Sequence, residues 1–272
     1  MMQDPFGRAI TYLRVSITDR CNLRCSYCIP EREVRWVRRE DRLSFEEMRD
    51  FAAEAAALGL TKVRITGGEP LLRRDVVRFV EMLAAIPGLT DRALTTNGTR
   101  LAPLAGALKR AGLGRVNISL DTLKPAVYAR LTGGGALDEA LAGIAAAKEA
   151  GLDPVKINFV ILPGVNTDEI EAMGRFCRDR GLQLQYIEAM DLRGQKSQAL
   201  RFHMATRPGR CEECNKLRLA CDGRLMPCLF SDRSINIKDY RGRYREAITE
   251  SVALKPRQGG SFSHGAMNRI GG

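Results

Sequence analysis

The chain lacks any uninterrupted apolar run near the about 20 residues that a bilayer-spanning helix needs. Its opening MMQDPFGRAI also lacks the basic-then-apolar layout of a secretory signal. These absences set aside a membrane protein and point to the cytoplasm. Low complexity is missing too. With 272 residues, 44% of them hydrophobic, the chain can bury a large core and is no disordered tail. A basic tail or stripe is likewise absent: the formal charge of +11 is spread along the sequence. That argues against nucleic acid as the partner and suits a cleft for a small polyanion.

What the chain has is cysteine, eight in all. In a reducing compartment so many thiols imply metal ligation or catalysis before disulfides. Six form two tight groups, Cys21, Cys25 and Cys28 near one end and Cys211, Cys214 and Cys228 near the other. Cys221 lies inside the second group, and Cys177 stands alone.

From Tyr12 to Met190, short β-rich runs alternate with helical stretches, the pattern of βα units around a parallel sheet. Six strands are predicted: Leu13–Ile17, Val63–Thr66, Ala93–Thr96, Val116–Leu120, Val155–Ile161 and Leu184–Glu188. Ser44 and Glu47 form a capping box before an apolar stripe at Phe45, Met48, Ala52 and Ala55. Asp75 and Thr167 are expected as later N-caps, and Gly59, Gly88, Gly112, Gly151 and Gly181 as helix stops. The fold class is therefore α/β. Residues 1–190 make a partial (β/α)6 TIM-like barrel, and residues 191–272 a small C-terminal cysteine-bearing segment.

Chemistry in parallel α/β folds gathers at the carboxyl ends of strands, and the first cysteine group follows the first strand directly. Three thiolates cannot fill a four-iron cluster. One iron stays open and can chelate the amino and carboxylate groups of S-adenosylmethionine. After the second strand, Gly67-Gly68-Glu69-Pro70 offers a turn that permits close backbone approach and a carboxylate suited to an amino group. A three-cysteine zinc site or three buried thiols are the alternatives for the first group, and a four-cysteine zinc knuckle including Cys221 for the second.

The triplet Cys21-Asn22-Leu23-Arg24-Cys25-Ser26-Tyr27-Cys28 and the Gly-Gly-Glu-Pro turn resemble the radical S-adenosylmethionine superfamily. With the second triplet, the chain resembles its GTP 3',8-cyclase family, involved in molybdenum cofactor biosynthesis. Further marks are Leu13 to Arg20, Cys214-Asn215-Lys216-Leu217-Arg218, Pro227-Cys228-Leu229-Phe230 and the terminal Ile270-Gly271-Gly272, a tail that reaches the active site in that family. The resemblance implies two [4Fe-4S] clusters on the two triplets. It implies S-adenosylmethionine held by Tyr27, Gly68, Glu69, Ser119 and Met190. GTP would be held by Arg14, Lys62, Arg64, Thr95, Lys156, Lys216, Leu217 and Arg218, with Arg218 and Lys216 also catalytic. A flavodoxin or ferredoxin reductant and a homodimer are further implications.

Three features depart from that family. The stretch between Met190 and Cys211 is shorter by several tens of residues. Lys216 and Gln185 stand where arginines are usual, and lysine keeps the charge but loses the planar fork. Two other readings stay open: a two-cluster radical enzyme acting on a peptide or another small molecule, and a zinc protein that binds nucleic acid.

Overall fold

The computed structural model describes residues 2–28, 36–189 and 210–260. Met190 and the Ile270-Gly271-Gly272 tail lie outside the described residues.

Six parallel strands follow one another in both sequence and space, and each is linked to the next through helical chain. They are β1 (Tyr12–Ser16), β2 (Lys62–Thr66), β3 (Asp91–Thr96), β4 (Arg115–Ser119), β5 (Val155–Ile161) and β6 (Gln183–Glu188). The intervening helices are α1 (Phe45–Ala57), α2 (Val76–Ala84), α3 (Ala105–Arg110), α4 (Pro125–Thr132), α5 (Leu137–Glu149) and α6 (Ile170–Asp179). The sheet stays open, with β6 at one edge, as a partial barrel requires. No helix among the described residues is long and apolar enough to cross a membrane.

The C-terminal segment extends this sheet. β7 (Lys216–Leu219) lies parallel to β1, with Tyr12 opposite Lys216 and Arg14 opposite Arg218. β8 (Arg224–Met226) and β9 (Ile235–Asn236) follow in antiparallel order. α7 (Tyr244–Ala253) then packs on α1, with the Tyr244 ring edge-on to Phe51 at 5.8 Å. One sheet thus runs through both parts of the chain.

Local sequence accounts for the helix starts and stops. Ser44 Oγ accepts from Glu47 N at 3.0 Å while Glu47 Oε2 accepts from Ser44 N at 2.8 Å, completing the expected capping box. Phe45 of α1 stacks on Phe79 of α2 at 4.5 Å. The five expected stop glycines all take positive φ, where a Cβ is strained. Two expected caps are corrected. Asp75 has the N-cap position but a φ of 63° that turns its side chain away from the helix donors. Thr167 sits within a 3-10 turn capped by Asn166, whose amide is used to brace Leu162, Val160 and Asp121.

The strand pairings sort the side chains into two faces. Leu13, Val15, Val63, Ile65, Leu94, Val116, Ile118, Ile157 and Leu219 point to the helices and are essentially fully buried. The opposite face, the lumen, carries Tyr12, Arg14, Lys62, Arg64, Thr95, Asn117, Lys156, Gln185, Lys216 and Arg218. A polar lumen backed by an apolar helix layer places the functional groups.

Candidate active site

The loop after β1 delivers Cys21, Cys25 and Cys28, all free and partly exposed. Two neighbouring loops hold it there. Gly68 N donates to Thr18 O at 2.7 Å and Glu69 N to Arg20 O at 2.7 Å. A Cβ on Gly67 would sit 2.6 Å from Thr18 O, and one on Gly68 2.3 Å from Arg20 O, so only glycine fits at either position. The close approach these glycines permit is to the cysteine loop itself.

Glu69 is fully buried, and its carboxylate is taken up by the protein. It accepts from Leu71 N at 3.0 Å, Thr96 Oγ1 at 2.8 Å and Asn97 N at 2.8 Å. Burial pushes its pKa up to about 7 against the pull of those donors. Where a carboxylate presented to an amino group was expected, the structure shows one that ties the β2 turn to the β3 turn.

That β3 turn supplies residues the sequence reading passed over. Asn97 Nδ2 lies 3.0 Å from Asn22 Oδ1 and 3.9 Å from Cys21 Sγ, and Asn22 Nδ2 donates to Thr99 Oγ1 at 2.9 Å. An Asn-Gly turn straight after a strand was the available signal. On the other side, the Tyr27 hydroxyl donates to Asp121 Oδ2, and Asp121 Oδ1 accepts from Val160 N at 2.8 Å. Burial raises Asp121 to about 6 and holds Tyr27 well above the ordinary phenol range. A cavity beside Cys25 is lined by Tyr27, Asn97, Ser119 and Asp121, so the expected Ser119 and Tyr27 do meet the triplet.

The thiols repel one another's ionisation. Burial, then Cys28, Asp121 and Cys21, push Cys25 up to about 12, and burial raises Cys21. Two thiols this costly to ionise suit a cationic iron–sulfur core that would supply the missing charge. A cubane takes one thiolate per iron, so three cysteines suit it with one iron left open.

The second triplet stands at the opposite end of β1: Cys214 precedes β7, whose Lys216 lies opposite Tyr12, whereas the first triplet follows the carboxyl end of β1. Cys28 and Phe230 both pack on a small cluster of Ala220, Met226 and Leu229. Cys211 and Cys214 sit in a 3-10 turn just before β7, and Cys228 follows β8. Burial raises Cys228, whereas Cys214 ends below the ordinary thiol value because Lys255, a backbone donor and Lys216 outweigh its burial. Cys221 and Cys177 are core thiols, 1% and 2% exposed, and belong to neither group.

Between the two triplets the lumen is cationic. Arg218, Arg14 and Arg64 occupy one cross-strand row on β7, β1 and β2, and Lys216, Tyr12 and Lys62 the adjoining row. Arg64 Nη1 donates to Thr95 Oγ1 at 3.2 Å, while its Nε is buried without an acceptor. Lys156 shares this face through Asn117 and Thr95. Among the strand residues of the face, Asp91 is the one acid. It binds Arg115 through both oxygens at 3.0 and 2.9 Å and Lys62 at 3.2 Å. Crowding and burial depress the cations: burial, then Arg14, lowers Arg218 to about 9, and burial also lowers Arg64, Lys156 and Lys216. Burial alone would raise Tyr12, yet Arg14, Arg64, Lys62 and Lys216 bring it below its usual value. Such a face is built for a polyanion.

One expected residue does not reach it. Leu217 alternates to the helix side of β7 and is fully buried in the core, so within the stretch 216 to 218 only Lys216 and Arg218 face the lumen. The expected Met190 lies outside the described residues.

Comparison with known proteins agrees with this geometry. The radical SAM superfamily matches residues 15–177. The GTP 3',8-cyclase of Moorella thermoacetica is 41% identical over all of both chains, and that of Petrotoga mobilis 39% identical over 94% of each. The Moorella alignment runs to 326 positions, so several tens of them have no counterpart among these 272 residues. Among solved structures, Streptococcus suis SuiB bound to precursor peptide SuiA superposes with a TM-score of 0.71 at 16% identity, covering 93% of this chain and 66% of that one. These matches set aside the reading as a zinc protein that binds nucleic acid. The chain belongs to the radical S-adenosylmethionine superfamily, with the [4Fe-4S] cluster and S-adenosylmethionine which that entails, and within it to the GTP 3',8-cyclase family.

Proposed function

We propose that the chain cyclises GTP to (8S)-3',8-cyclo-7,8-dihydroguanosine 5'-triphosphate, the step of molybdopterin biosynthesis for which its relatives are named. The observation that carries this reading is the row of Arg218, Arg14 and Arg64, flanked by Lys216, Lys62 and Lys156, on the lumen face below the first cysteine triplet. Converging guanidinium forks suit a triphosphate, whose oxygens they bind in pairs.

Cys21, Cys25 and Cys28 would hold the first cluster, which when bound supplies the electron that splits S-adenosylmethionine into methionine and the 5'-deoxyadenosyl radical that takes the 3' hydrogen of GTP. Gly68, Ser119 and Tyr27 border the place where S-adenosylmethionine would lie, and Glu69 is a positioning residue that fixes the turn. Arg218 and Lys216 lie on β7 opposite Arg14 and Tyr12 and would meet the nucleotide. Their charge would orient the nucleotide, and orientation is decisive for a radical that must meet one hydrogen only. Cys211, Cys214 and Cys228 would hold a second [4Fe-4S] cluster, which with three protein ligands would keep one iron available to the guanine. A flavodoxin or ferredoxin reductant, a cytoplasmic setting and a homodimer belong to the same reading and rest on the family alone.

The test is mass spectrometry of an anaerobic mixture of reconstituted protein, S-adenosylmethionine, dithionite and GTP. A cyclised GTP isomer appearing with 5'-deoxyadenosine is the expected result. Deoxyadenosine with GTP unchanged would reject GTP as substrate and favour a peptide or another small molecule.

A further inference from the structure

Lys255, just beyond α7, is 3% exposed, a rare position for an ammonium unless its three protons all find acceptors. Two find backbone oxygens: Nζ donates to Lys216 O at 2.8 Å and Pro227 O at 2.6 Å, with the Cys214 side chain beside the ammonium. Those oxygens belong to the first residue of β7, two places after Cys214, and to the residue before Cys228. One cation thus joins the two arms that carry Cys214 and Cys228.

The third arm is held differently. The Arg8 guanidinium donates to Cys211 O at 2.6 Å, Pro256 O at 2.7 Å and Arg257 O at 3.1 Å, and is itself held by Asp4 at 2.5 Å. Arg8 therefore fixes backbone, whereas Lys255 also sets its charge beside a sulfur. The chain after Lys255 remains on the site: Gly260 N donates to Phe230 O at 2.9 Å, and a Cβ on Gly259 would lie 3.4 Å from Cys228 Sγ.

We propose that Lys255 is a positioning residue for the second cluster, holding the Cys214 and Cys228 arms at ligand spacing and raising the cluster's reduction potential through its positive charge. This rests on the two-cluster reading above. A positive charge beside a ligating sulfur favours the more negative, reduced cluster, so the potential rises. Methionine would keep the apolar stem without donor or charge. Arginine would keep the charge, but its longer planar fork cannot reproduce the two hydrogen bonds of a compact buried ammonium.

The experiment uses full-length protein carrying C21A, C25A and C28A, so that any iron signal comes from the second site. Iron and sulfide per chain are measured together with an anaerobic redox titration followed by electron paramagnetic resonance. This background protein should bind about four iron atoms. Absence of iron and sulfide there would refute the second cluster itself, and the Lys255 proposal with it. Within the background, K255M should titrate at a lower potential, K255R should shift less, and Arg8→Met should lose iron faster to a chelator at an unmoved potential. Cluster loss in K255M with retention in the Arg8 variant would support the same role. Full iron in K255M at the unaltered potential, or equal iron loss from the Lys255 and Arg8 variants, would overturn it.

Discussion

Glu69 shows how a residue's chemistry can be readable while its direction is not. Its type and place after β2 suggested a ligand for an amino group, yet its oxygens face Leu71, Thr96 and Asn97. A folded-state pKa of about 7 lies above the ordinary carboxylate value of 4.5. The native state therefore keeps its proton longer than the unfolded chain, and this contribution to stability is full below 4.5 and lost as pH rises through about 7. Thermal melts of the cluster-free chain should show that decline, and E69Q should flatten it. A wild-type melt independent of pH across this window contradicts the assignment. At Arg218 the prediction concerns binding. R218A removes charge-assisted contacts worth about 1.5–3 kcal/mol, so GTP affinity measured by equilibrium dialysis should fall roughly tenfold to a hundredfold while S-adenosylmethionine cleavage continues. Undiminished GTP binding would remove Arg218 from the site.

Elements whose signals are local were legible; those that depend on distant partners were not. The six parallel strands, the α1 capping box and the stop glycines follow from periodicity, Ser44 with Glu47, and positive φ. β7 escaped prediction because its four residues become a strand by pairing with β1, some 200 residues earlier in the chain. Separation in sequence also hid Arg8, which meets Cys211 across 203 positions, Asn97, which meets Asn22 across 75, and Lys255, whose acceptors lie 39 and 28 positions away. The cysteines stand out because spacing encodes their chemistry, while the burial of Leu217 was not legible because a motif match ignores strand alternation. The β2 turn gives the sharpest test at this scale. G68A would drive a Cβ to 2.3 Å from Arg20 O, displacing the cysteine loop at a cost of about 1–3 kcal/mol. Iron bound at the first triplet should fall sharply, whereas G106A, in α3 with only the flexible Arg110 side chain near its Cβ position, should retain it. Equal iron content in the two variants would show that the loop does not depend on that contact.

Across the whole molecule, one sheet brings three things together: a thiol triplet at the carboxyl end of β1, a cationic lumen, and a second triplet at the opposite end of β1. The shorter stretch before Cys211 leaves this arrangement in place, since β7 still pairs with β1 and aligns Arg218 with Arg14 and Arg64. The central claim is that the radical made at the first triplet acts on a nucleotide held by that row. The most direct measurement is transfer of deuterium from GTP labelled at C3' into 5'-deoxyadenosine, read by mass spectrometry. The account predicts deoxyadenosine carrying one deuterium, formed in step with cyclised product; unlabelled deoxyadenosine formed at the same rate with or without GTP would contradict it.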